Sequence, residues 1–159
     1  MDKSSFYIGL DNIAADSFNS ALVSAVQVVK SARAQYSWVG VYLANDQVLT
    51  LEENHYLGPK TLETHIPFSE GICGACATSR ETIIVDDVRG DYRYIACSPA
   101  VLSEIVVPIM ANDHLVGVLD LDSDELQAFD QADQQQLEGI ARLLAKIWLK
   151  EQQSVKAGD

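Results

Sequence analysis

Basic residues are scarce in this sequence. Its 11 lysines and arginines stand against 23 aspartates and glutamates, for a formal net charge of −12. A surface so acidic repels phosphate backbones and argues against a nucleic-acid partner. Long apolar runs are missing as well. No stretch approaches the roughly 20 apolar residues of a membrane span, so no membrane partner is expected. The opening residues "MDKSSFYIGLDNIAAD" carry no apolar segment of secretory-signal length. Cysteine is rare, with three in 159 residues. An odd count in a chain large enough to bury a core argues against a disulfide framework and for a reducing, cytoplasmic compartment. Repeats, linkers and low-complexity stretches are absent, and residues 1–159 are read as a single domain with its core over about 17–150.

What is present is patterned. Residues 17–35 set Phe18, Ala21, Leu22, Ala25, Val28, Val29 and Ala32 on one helical face, with Asp16 or Ser17 as the cap. Strands are expected at 37–44 and 46–54, and a short extended piece at 63–68 after the Gly58-Pro59 break. A short helix capped by Ser69 is expected over 69–79, then a strand start at 81–88 and a loop over 89–102. Residues 103–110 and 114–123 read as a hairpin around "AND". The clearest helix is 129–153, capped by Asp130, with a stripe of Leu137, Ile140, Ala141, Leu144, Ile147 and Trp148. The tail 154–159 is expected to fray. This order predicts an α+β fold, an antiparallel sheet whose N- and C-terminal helices pack together on one face.

Residues 71–76, "GICGAC", hold Cys73 and Cys76. A C-x-x-C can be a redox pair, half of a zinc site, or small residues packed in a helix. The redox motif of thioredoxin type follows a strand in a βαβ unit, which this order of elements lacks. Zinc would need further ligands, and Cys97 with His55 or His65 is a weak set, so no metal is expected. The segment is read mainly as a small-residue turn and helix start. Cys97, the third cysteine, is by its residue type a small buried hydrophobe first and a nucleophile second. Trp38 and Tyr42 share a sheet face, as do Asp120 and Asp122. The aromatic pair suits a core as well as a pocket. The aspartate pair suits a solvated strand end or a ligand's ammonium group. Glu104, alone, reads as an edge residue.

The segments "SWVGVYL", "IPFSEGICG", "VDDVRGDYRYIACSP", "SEIVVPI" and "LVGVLDLDS", in that order and spacing, resemble a GAF domain. More narrowly they are similar to the free methionine-(R)-sulfoxide reductases, stand-alone GAF domains. The resemblance implies Cys97 as catalytic cysteine and Cys73 as a second cysteine able to enter disulfide exchange. It implies Trp38, Tyr42, Glu104, Asp120 and Asp122 as the substrate site. It further implies free methionine sulfoxide as substrate, a thioredoxin-like reductant, no cofactor, and a homodimer, for which Ile147 and Trp148 are the large residues near the end of the last helix. The chain departs from the pattern in three places. Glu63 stands where the family usually has its main resolving cysteine, Cys76 is extra, and "SPAVL" after Cys97 looks more like sensory GAF domains. A non-catalytic ligand-binding or redox-sensing module is therefore the alternative.

Overall fold

A computed structural model describes residues 7–95 and 100–157. Cys97 lies outside the described residues. The chain forms helix α1 (Phe18–Ala32), strands β1 (Trp38–Asn45), β2 (Val48–Thr50), β3 (Tyr56–Leu57) and β4 (His65–Pro67), and helix α2 (Gly71–Ser79). Strands β5 (Ile83–Val85), β6 (Ser103–Ala111) and β7 (His114–Ser123) follow, then helix α3 (Gln131–Ala157). The sheet has seven strands in the order β4-β2-β1-β7-β6-β5, with β3 added beside β1. Its pairings are antiparallel. This is the expected α+β architecture.

Local chemistry explains where the elements begin and end. Ser17 caps α1, its hydroxyl accepting from the Ser20 N–H at 3.0 Å. Asp130 caps α3, accepting from the amides of Ala132 at 2.9 Å and Asp133 at 3.2 Å. The carboxylate of Asp133 reaches back to the Asp130 N–H at 2.8 Å, closing a capping box. The expected cap at Ser69 is not made. Glu70 holds that position, without a side-chain bond. The strand expected over 46–54 is shorter, because Asp46 and Gln47 both take positive φ and form the two-residue turn between Asn45 and Val48. Such a turn matches the twist of the hairpin it closes. Helix α3 also continues to Ala157, through most of the tail expected to fray.

Strand alternation divides the molecule. One sheet face presents Val39, Val41, Ile105, Val107, Ile109, Leu119 and Leu121, which are buried under α1 and α3. This layer reaches beyond 17–150, since Ile8 and Ile13 are buried in it. Ile147 belongs to it too, and Trp148, half-buried, stacks on His114 with ring centroids 4.9 Å apart. Buried Asp133 ties its end together, accepting from the Tyr36 hydroxyl and from Arg33 at 3.1 Å. The other face carries Trp38, Tyr42, Val106 and Val118, and is covered by α2 and the long connections.

Candidate functional site

The second face holds the acids. Registry sets Trp38 opposite Asp122 and Asp122 opposite Glu104, in one row across β1, β7 and β6. The adjacent row runs from Gly40 to Asp120 to Val106. Each of the three carboxyl residues is only 5% exposed. This removes the two structural alternatives that the sequence left open. Asp120 and Asp122 are not a solvated strand end. Glu104 is not an edge residue, because β6 lies between β7 and β5, with Val85 opposite Glu104.

Burying three acids together is costly unless they share protons. Glu104 and Asp120 bring carboxyl oxygens within 4.8 Å of each other, and Asp122 stands directly opposite Glu104 in the strand register. Burial, then the charges of Asp120 and Asp122, hold the Glu104 carboxyl well above the usual carboxylate range. Burial raises Asp122 well above that range as well, and Asp120 also shifts upward. Burial thus biases the trio toward its protonated, uncharged forms. One oxygen of Asp120 and one of Asp122 are buried with no hydrogen-bond partner.

Helix α2 closes this face. Cys73 and Cys76 are both buried free thiols. The Cys73 sulfur lies within 4.8 Å of an Asp120 carboxyl oxygen, and burial together with the three acids pushes its thiol well above the ordinary range. Cys76 points to the Val106 carbonyl, 3.6 Å from it, and burial pushes its thiol up to about 12. It is a packed small side chain, as read from the sequence. The histidines weighed as zinc partners are engaged elsewhere. His55 lies 2.8 Å from the Asn19 side chain, and His65 lies 3.1 Å from the Thr64 hydroxyl.

Beside the acids lies a cavity of about 150 Å³, lined by Trp38, Tyr42, Thr61, Val101, Asp120 and Asp122 among others. Trp38 leans across Gly40, where a Cβ would stand 2.4 Å from the indole ring. Its outer edge rests on Gly58, whose φ of +131° suits glycine. Tyr56 stacks on the indole at 5.4 Å, and Tyr42 lies at 6.3 Å. The Tyr42 hydroxyl donates to the carbonyl of Glu63 at 2.8 Å, fixing the 59–63 loop as a wall. Exposed Lys60 and Asp124 line the cavity from the solvent side. Five expected residues thus come together: Trp38, Tyr42, Asp120 and Asp122 at the cavity, and Glu104 opposite Asp122 on the next strand. Cys73 joins the acids. For Cys97 the nearest described residues are Ile95 and Ala100, and Ala100 and Val101 line the cavity. Sequence reasoning missed Thr61 and Lys60, which sit in an aperiodic loop.

A sheet with paired helices on one face and a lined cavity on the other defines a class of small α+β domains. A family model described as the GAF domain matches residues 15–148, and the chain belongs to that family. It is 39% identical over 122 residues to the free methionine-R-sulfoxide reductase of Saccharomyces cerevisiae, covering 74% of this chain and 66% of that one. It is 30% identical over 156 residues to the Escherichia coli protein of the same name, covering 92% and 91% of the two chains. Its fold superposes with a TM-score of 0.80 on the free methionine-R-sulfoxide reductase of Neisseria meningitidis in complex with its substrate. That pair is 35% identical, with 89% of this chain and 83% of the other covered.

Proposed function

We propose that this protein reduces free L-methionine-(R)-sulfoxide to methionine, with Cys97 as nucleophile and thiols as the electron source. The observation that carries the reading is the buried Glu104–Asp120–Asp122 trio beside an aromatic-walled cavity. A zwitterionic amino acid brings an ammonium group, for which carboxylates with unpartnered oxygens are apt acceptors. Trp38 and Tyr42 suit the methyl sulfoxide end and the cation alike. A neutral Glu104 supplies what the sulfoxide oxygen needs, a proton in a dry site.

The chemistry balances without a cofactor. The Cys97 thiolate attacks the sulfoxide sulfur while the oxygen is protonated. The sulfur–oxygen bond breaks, two electrons pass to the substrate sulfur, and the oxygen ends on Cys97 as a sulfenic acid beside free methionine. A thiol then condenses with the sulfenic acid, giving a disulfide and water, and an external dithiol reopens it by exchange. Cys73 is the internal candidate. Its thiol is held protonated, so it acts by giving its proton to Asp120 as it attacks. A thioredoxin-like protein in the cytoplasm fits the final step, and a homodimer, testable by sedimentation, belongs to the same proposal.

Thiol-coupled turnover with the free (R)-sulfoxide tests the proposal. Methionine should accumulate with wild type and not with Cys97→Ser. Glu63, in place of a further thiol, favours a second reading as a ligand sensor. Reversible binding of the sulfoxide without methionine formation would select that reading.

A further inference from the structure

We propose that Cys73, Glu104 and Asp120 form a binding site for one divalent cation of the zinc class. The sulfur of Cys73 and a carboxyl oxygen from each acid all lie within 4.8 Å of one another. All three residues are buried, and they come from regular elements: the first turn of α2 and the middle strands β6 and β7. An acidic cluster alone would not suggest a metal. The second observation is that Oδ1 of Asp120 and Oδ1 of Asp122 are buried without any donor. A cation supplies the missing positive partner. Asp122, opposite Glu104 in the strand register, would orient that ligand from outside the metal's own shell.

The donor set chooses the class of ion. Calcium and magnesium take six or more oxygens, whereas one thiolate with two carboxylates suits zinc and its neighbours, leaving a fourth position for water. Asp120 lines the cavity, which gives the ion a path. Binding transfers no electrons. The Cys73 sulfur–hydrogen bond is replaced by a sulfur–metal bond, and the displaced protons go to solvent. The site rests on this geometry and not on the reductase reading. If that reading also holds, the cation competes with the sulfoxide and ties up Cys73.

The test is a titration of reduced, metal-free, full-length protein with Co²⁺, followed by absorption. A sulfur-to-cobalt charge-transfer band should saturate at one equivalent and be displaced by Zn²⁺. It should vanish in Cys73→Ser, persist in Cys76→Ser and Cys97→Ser, and need about tenfold or more Co²⁺ in Glu104→Gln, the scale of losing a metal-site residue. No band in wild type, or a band that survives in Cys73→Ser or depends on Cys97, overturns the site. Should Cys73→Ser fail to fold by circular dichroism, Glu104→Gln decides, and an unchanged affinity in that folded variant overturns it too. The readout needs no turnover, so an inactive reductase leaves the result readable.

Discussion

The two faces of one sheet have been put to opposite uses. Toward α1 and α3, strands β1, β6 and β7 present mainly hydrocarbon, including Val39, Ile105 and Leu119 with no exposure at all. Toward α2, one residue further along the same strands, they present Trp38, Glu104, Asp120 and Asp122. The first face gains from burial in the ordinary way. The second buries three acids that oppose one another, and it persists because protonation relieves the charge. On the proposed function, this small sheet separates stability from chemistry by pleat alone. The helical face supplies the surplus that the acidic face consumes.

Substitutions on the two faces should therefore act in opposite directions. The largest effect on stability is expected from Leu119→Ala, under the helices, which should cost about 2–5 kcal/mol in denaturant unfolding. Tyr36→Phe is the next. It removes a donor from Asp133, leaving a buried carboxylate short of a partner, and should cost about 1–3 kcal/mol. Across the sheet, Asp122→Asn should instead stabilise at pH 8, because asparagine carries no charge to bury.

That last gain should depend on pH with a definite sign. Folded protein holds a proton on Asp122 that the unfolded chain has released, since burial raises this carboxyl well above its ordinary 3.8. Wild type thus keeps this contribution in full below the ordinary carboxylate range. It loses the contribution as pH climbs from there through the raised value. Asparagine has no proton to lose. Melting curves from pH 4 to 8 should show the two proteins diverging upward in pH, and a constant offset would show that the carboxyl is not the cause.

Much of this was legible in the sequence, for physical reasons. The helices announced themselves through the 3.6-residue stripes around Leu22 and Leu144, and the hairpin 103–123 through its apolar runs. The shared face of Trp38 and Tyr42, and that of Asp120 and Asp122, followed from strand alternation. The burial of Glu104 did not follow. Position within a strand says nothing about whether that strand lies at an edge, and β6 is interior only because the short β5 pairs with it after a long excursion. The turn at Asp46-Gln47 was missed because its residues are not the glycine or asparagine that usually mark positive φ. The loop wall of Thr61 and Lys60 was invisible because its placement rests on tertiary bonds, such as those from the Tyr42 hydroxyl to the Glu63 carbonyl and from the Leu51 amide to the Thr64 carbonyl.

On the proposed function, the acidic face serves chemistry at the expense of stability. A single-turnover assay on wild type and Asp122→Asn, with unfolding measured on the same samples, tests it most directly. Reduced wild type, given excess free L-methionine-(R)-sulfoxide and no other reductant, should form about one equivalent of methionine in a rapid burst, as thiol-to-sulfenic-acid stoichiometry requires. Asp122→Asn should be the more stable protein at pH 8, yet its burst should be slower by about 100-fold or more, the scale of losing one preorganised polar group. A burst of wild-type speed in the stabilised variant would show that the buried acids are not used in the reduction.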